Sequence, residues 1–423
     1  FLGLLVAFFI ALFFYFQHIK NPIAGLTINF WYPFLTGTIS IIFVDLNEIY
    51  MSESQTISYP INSYLPFIFL NLFIVAGYSI VLSPVKTKQI DLKNLVIKRN
   101  SEARFSFLIL IIVVAINFIN IALSSGLPIG ESEVRRFNYW ESYAFLNFLP
   151  NIWGILIFFL PFVSFALGIY FKHIEKNILL SNICFSFIAI HLLYLFLTGQ
   201  KFNGFVLFIL LLYACINIYN SKYKFGISIF KVQRYFLIGI APVLLIGIID
   251  LANRDLAETV GTSGVAAYRI LVLQSSTFWT LYDNYINFGI YSAQINSILL
   301  DGSDLISQIV LPFSSSIDYL DDDINLSSSI PGYFLIFFGM EGAFILCFFY
   351  GCLLGLISYL FYKDLINFYF YDLFLSSMIF LSIISCYSRG SLEEIFSLKF
   401  LVLISIYVIL KLLRFKSSHV LES

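Results

Sequence analysis

The sequence predicts an all-α polytopic membrane protein, and three observations carry that prediction. Of its 423 residues 60% are hydrophobic and only 12% are charged, too few to cover so much apolar surface in water. Apolar runs of about 18 residues or more recur along the chain, the length that crosses a bilayer as a helix. The basic residues are not scattered but collect in the connections between alternate runs, as cytoplasmic loops do. The formal net charge of −1 carries no implication for nucleic acid or acidic partners.

Eleven spans can be drawn, at about 2–16, 28–44, 61–82, 105–123, 151–171, 178–197, 204–219, 235–251, 333–360, 373–387 and 400–413. The first, FLGLLVAFFIALFFYF, has neither a basic leader nor a small-residue cleavage pattern, so it reads as a span rather than a signal peptide. Strict alternation puts seventeen of the 24 basic residues on one side, the cytoplasmic one. PVKTKQIDLKNLVIKRNSEAR, NSKYKFGISIFKVQR, KHIEKN and the tail KLLRFKSS supply most of them. The C-terminus is then cytoplasmic, and one further helix before Phe1 would give twelve and return the N-terminus to that side. The five cysteines fall in apolar runs with no CxxC spacing, which points to packed thiols rather than disulfides or zinc. The whole chain, 1–423, reads as a single integral membrane domain.

Seven basic residues face outward: Arg135, Arg136, Lys201, Arg254, Arg269, Arg389 and Lys399. The outer side also holds two large segments, a loop at 124–150 with the arginine pair and a longer one at 252–332. Loops of that length in a compact protein are usually functional. Arginine matches phosphate oxygens bidentately, although Glu131, Glu133 and Glu141 around the pair also allow a solvated ion-pair cluster. In the longer loop GVAAYRILVLQSSTFWTLYDNY reads as an interfacial helix with Arg269, Ser276, Thr280 and Asp283 on one face. Trp279 and Tyr282 read as its headgroup anchors. TGQKFNG puts Lys201 at a helix mouth, and Arg254 opens the long loop. Glu341 reads as lying two turns inside its span, where a carboxylate is costly and is a functional candidate or part of an ion pair. Gly351 and Gly355 form GxxxG, a mark of close helix packing. Asp321, Asp322 and Asp323 read as a solvated acidic run.

No phosphate-binding or dinucleotide glycine pattern is present. Outward arginines beside abundant apolar surface point instead to a lipid-linked anionic substrate. In its order of features the chain resembles the O-antigen polymerases of the Wzy type, which join oligosaccharide repeat units. The features are EVRRFNYWE, TGQK, the long loop with YRILVLQSSTFW, and SSSIPGY entering a Gly-rich span. That resemblance implies a GT-C-like glycosyltransferase acting on the periplasmic face of a bacterial inner membrane. It would move a growing glycan from undecaprenyl diphosphate to a lipid-linked acceptor, contribute to lipopolysaccharide or other surface-polysaccharide synthesis, and use no nucleotide, cofactor or metal. A separate chain-length-regulating co-polymerase is implied as a partner, beside membrane lipid.

On this reading Arg135, Arg136 and Arg269 bind the diphosphate, with Arg254, Lys201 and Arg389 as second choices, and they stabilise the charge that develops on it. An acceptor hydroxyl calls for a base, and Glu341, Asp283 and Glu141 are the candidates in that order. Related ligases use an outer-loop histidine. All outer loops here lack one, which favours polymerase over ligase. Two alternatives stay open. A metal-dependent GT-C transferase would use Asp45 and Glu48 in DLNEIY as its acidic pair, and a lipid-linked oligosaccharide flippase would line a central cavity with charge.

Overall fold

A computed structural model describes residues 2–51, 54–85, 100–126, 143, 145, 150–197, 202–223, 268, 271–272, 275–311 and 329–420. Helix dominates them. In chain order come α1 (Leu2–Lys20), a 3-10 turn (Pro22–Thr27), α2 (Ile28–Leu46), strands β1 (Tyr50–Met51) and β2 (Thr56–Ile57), and α3 (Tyr64–Leu82). Then follow α4 (Asn100–Ala122), α5 (Pro150–His173), α6 (Ile178–Leu197), α7 (Phe202–Tyr223), α8 (Ser276–Phe288), α9 (Ile295–Leu300) and α10 (Gly302–Val310). The chain closes with α11 (Ile330–Asn367), α12 (Phe370–Arg389), α13 (Glu393–Phe396) and α14 (Leu398–Val420).

Helices stand where ten of the eleven predicted segments lie, and the other, 235–251, falls outside the described residues. Five of them are long and apolar enough to cross a membrane: Pro22–Leu46, Tyr64–Leu82, Ser101–Ala122, Ile330–Asn367 and Phe370–Arg389. Leu2–Gln17 and Ile178–Ile190 are shorter apolar helices. The protein is thus a multi-pass helical membrane protein, with one small antiparallel pair among the described residues, Tyr50 opposite Ile57 and Met51 opposite Thr56.

The chain divides into two compact units, each built from three separate segments. The first takes Phe1–Lys86, Thr259–Tyr359 and Ile379–Leu403. Its centre is aromatic: Phe30, Trp31, Phe34 and Tyr78 are buried, and Tyr387 packs edge-on to Phe30 while its hydroxyl donates to Asn71 at 2.6 Å. Small residues set the spacing of α3 and α11. A Cβ on Gly77 would stand 2.1 Å from the Phe348 carbonyl, and one on Gly351 would stand 2.1 Å from that of Ile74. Backbones this close leave room only for hydrogen, as the GxxxG reading of Gly351 and Gly355 expects.

The second unit takes Thr87–Glu258, Leu360–Met378 and Ile404–Ser423. Helices α5 and α6 form an antiparallel hairpin, in which Ser181 donates to the Gly168 carbonyl at 2.8 Å. The end of α11 is closed by Phe368, buried at φ 52° and stacked on Tyr219. The freed carbonyls of Leu365 and Ile366 accept the hydroxyls of Tyr219 and Tyr223, as the last turn of a helix requires.

Beside that helix end lies a charge cluster that the sequence reading did not single out. Asp364 and Asp372 are fully buried. Lys411 bridges them, bonding Asp364 and standing 2.9 Å from Asp372, and Tyr407 donates to Asp364 at 2.8 Å. Arg414 lies 3.2 Å from Glu102 and 3.4 Å from Asp372, over the ring of Tyr369. Buried carboxylates persist only when paired in this way. Lys411→Ala should therefore leave two buried carboxylates without their shared cation and cost about 3–5 kcal/mol. Thermal unfolding in detergent would show it, and the triple variant Asp364→Asn, Asp372→Asn, Lys411→Met should recover most of the loss.

Candidate functional site

Of the nine residues singled out for function, three are described, all in the first unit. Arg135, Arg136, Glu141, Lys201, Arg254 and Arg269 lie outside the described residues, as do Asp321, Asp322 and Asp323. Asp283 stands on α8 and Glu341 on α11, two helices joined at a break in α11 through Tyr285 and Met340. Arg389 stands elsewhere, at the end of α12 with 63% of its side chain exposed, 3.1 Å from Glu394.

The junction follows from a break in α11. At Gly339 the backbone takes φ 69° and ψ 179°, which interrupts the helix. Glycine is required twice over: the φ is positive, and a Cβ there would meet Ile290 Cδ1 at 3.0 Å. The Ile336 carbonyl accepts the Tyr291 N–H at 2.8 Å, and the Met340 N–H donates to the Tyr285 hydroxyl at 3.3 Å. In an unbroken helix these two groups would bond each other. Both ends of the lost bond are thus held by the end of α8 and the turn after it.

The break also moves Glu341. From sequence it reads as two turns inside a span, but it stands in the first turn of the helix that restarts after Gly339, and it is exposed. A carboxylate there favours the helix dipole. Counting about 20 residues of membrane-crossing helix back from the charged pair Lys363 and Asp364 reaches Ala343. A membrane-crossing length of helix is thus available after the break.

On α8, Asp283 Oδ1 accepts the Tyr59 hydroxyl at 2.5 Å and the Asn287 amide at 3.0 Å. The hydrogen bond to Asp283 raises the pKa of Tyr59 above its ordinary value. Tyr59 is 44% exposed, and its ring meets Trp279 edge-on. Trp279 itself is buried, as are Ser276 and Thr280. That departs from the expected polar stripe with Trp279 as a lipid anchor. The first turns of α8 pack inward, with Phe278 on Phe67 and the Ser275 hydroxyl on that of Ser40. The exposed apolar residues come later, at Ile286, Phe288 and Ile290.

Between α8, the turn after it, α10 and the start of α11 lies an open cleft of about 350 Å³. Phe288, Ile290, Ile309 and Ile336 line it, with Asn284 and Ser292 as polar side chains. Helix α10 is fixed by Glu393, whose carboxylate accepts the Ser303 N–H at 2.5 Å and the Ser303 hydroxyl at 2.6 Å. Asp45 is buried and spent locally: its Oδ1 accepts the Ile61 N–H at 3.0 Å and the Ser63 hydroxyl at 3.1 Å. Among the described residues no group of three His, Cys, Asp or Glu side chains could hold a metal ion.

The class defined here is a multi-pass helical membrane protein with a polar junction at a broken span. Residues 304–404, which include the break, Glu341 and Arg389, are similar to a family of unknown function (DUF6418). No curated protein and no solved structure matches the chain.

Tyr59, Asn287, Tyr285 and Gly339 were not picked out from the sequence. Tyr59 meets Asp283 across 224 residues of chain, and no local pattern announces that pairing. Gly339 did carry a signal, a glycine interrupting an apolar run ahead of a carboxylate.

Glu394 supplies a test of the local electrostatics. Burial raises its pKa above the ordinary value of 4.5, against the opposing pull of Arg389 and Lys399. The folded state therefore binds a proton more readily than the unfolded chain, so stability falls as pH rises through this window. Glu394→Gln should remove that decline between pH 4.5 and the folded-state value, read as a flatter melting-temperature profile than wild type.

Proposed function

We propose that the protein polymerises lipid-linked oligosaccharide repeat units at the outer face of the membrane. The supporting observation is the break in α11 at Gly339, tied to α8 and to the turn after it beside a cleft with mostly apolar walls. Such a place suits a substrate that is half lipid and half sugar. The full reading has eleven spans, or twelve with one upstream, in a GT-C-like arrangement with a cytoplasmic C-terminus and periplasmic loops at 124–150 and 252–332.

The chemistry follows from the substrate. A glycosyl group leaves undecaprenyl diphosphate as the acceptor hydroxyl attacks its anomeric carbon, so the C–O bond to diphosphate breaks as the new glycosidic bond forms. The hydroxyl proton passes to a carboxylate. Asp283 holds one oxygen with two donors and offers the other, while Glu341 sits free of burial at its helix start. In this reading either carboxylate takes that proton from an acceptor arriving from water. The diphosphate already leaves well, and what it needs is cationic stabilisation, which Arg135, Arg136 and Arg269 would give, supported by Arg254, Lys201 and Arg389.

The test is direct. Purified protein given lipid-linked repeat units, with no nucleotide and no added metal, should produce a ladder of glycans on a gel. Arg135→Ala, Arg136→Ala and Arg269→Ala should each cut chain extension at least 100-fold with membrane insertion unchanged. Full-length polymer from all three variants would refute the diphosphate role, and restoration by manganese after EDTA would favour a metal-dependent transferase.

A further inference from the structure

Helix α11 joins two packed blocks through the single residue Gly339. Its first part, before the break, is fastened to α9 and α10. Tyr333 is fully buried and its hydroxyl donates to the Ile298 carbonyl. Its ring lies so close to α10 that a Cβ on Gly302 would stand 2.6 Å from Tyr333 Cε2. Glu393 in turn fastens α10 to α13 through the Ser303 N–H and hydroxyl. The second part, after the break, is held by other elements. Gly351 packs it backbone to backbone on α3, and the Tyr350 hydroxyl donates to the Ile383 carbonyl of α12.

Where the two parts meet, the hydrogen bonds form an exchangeable set. A continuous helix would bond the Met340 N–H to the Ile336 carbonyl. In the bent form that carbonyl takes the Tyr291 N–H at 2.8 Å, and the Met340 N–H goes to the Tyr285 hydroxyl at 3.3 Å. The second bond is longer than the ordinary range for an N–H donor, which ends at about 3.2 Å. Straightening would restore the helical bond and release the Tyr291 N–H and the Tyr285 hydroxyl. Neither released group would be shut in a core, since Tyr291 is 38% exposed and Tyr285 is half-buried. Straightening would also relieve a backbone conformation, φ 69° with ψ 179°, that glycine alone holds readily. A junction with partners for its polar groups in either form is bistable rather than rigid.

The same exchange acts on the cleft. Ile290 and Tyr291 on the turn and Ile336 on the helix line it, and the bond from Tyr291 to Ile336 ties one wall to the other. We infer that Gly339 is a latched hinge. In the bent form Tyr285 and Tyr291 hold the break and keep the cleft narrow. In the straight form Met340 bonds Ile336, the block of α9, α10 and the start of α11 swings about Gly339, and the walls of the cleft part. The hinge is built into the backbone and does not depend on the polymerase reading.

Two variants bias the hinge in opposite directions. Tyr285→Phe removes the hydroxyl that holds the Met340 N–H and favours the straight form. Met340→Pro has no N–H to give Ile336, and its ring would clash with that carbonyl in a continuous helix. The first position of a restarted helix accepts proline, so this variant locks the bent form. Spin labels on full-length protein in nanodiscs, at the exposed positions Leu300→Cys on α9 and Phe349→Cys on α11, report the bend as a distance distribution by double electron–electron resonance. The native cysteines are buried or half-buried, so labelling goes to the introduced ones. Wild type should give a main distance and a minor second one. Tyr285→Phe should raise the second by about 3-fold or more, and Met340→Pro should remove it. Ile336→Cys, at a buried position, should react with a small maleimide about 3-fold faster beside Tyr285→Phe and about 3-fold slower beside Met340→Pro. One distance distribution common to all three proteins, or a second distance that survives Met340→Pro, would overturn the hinge. A distance change with no change in the reactivity of Ile336→Cys would overturn the opening of the cleft.

Discussion

The geometry of the first unit depends on one backbone event, the left-handed turn at Gly339 inside an otherwise apolar helix. A helix is the default in a membrane because it satisfies its own N–H and C=O groups, and a break is tolerated only where other protein groups take them over. Here the Tyr291 N–H and the Tyr285 hydroxyl do so. The loop between α8 and α9 is thereby tied to the broken helix. The cleft beside the break inherits its walls from that tie.

The second unit solves a related problem with charge. Asp364 and Asp372 sit at the facing ends of successive helices and are buried there. Lys411 and Arg414, one turn apart on α14, satisfy them together with Tyr407. The arrangement fixes the register of α14 and uses long side chains whose alkyl stems cover apolar surface. In both units polar groups near lipid survive because named partners hold them, and those partners lie far away in sequence.

That distance explains what was legible in the sequence. Helix positions were, because 18-residue apolar runs depend only on local composition. Close packing at Gly351 was, because GxxxG is a local pattern. The inward turn of Trp279 was not: a tryptophan in an amphipathic stretch reads as an interface anchor, and only the approach of Tyr59 and Phe67 to α8 makes that face a core. The helix break just before Glu341 was not legible, because hydropathy runs smoothly across FFGMEG while the backbone does not. The salt-bridged Asp364 was not singled out, and its partners on α14 appear only in three dimensions.

The central claim is that the stretch after α8 is held at the edge of the bilayer by the broken helix. A spin label at Phe288→Cys, in full-length protein in bilayers, tests it most directly through relative collision with oxygen and a water-soluble nickel chelate. The account predicts high oxygen and low nickel accessibility, at a depth within a few ångströms of a label placed at Ala343. Nickel accessibility equal to that of a label in bulk water would contradict it.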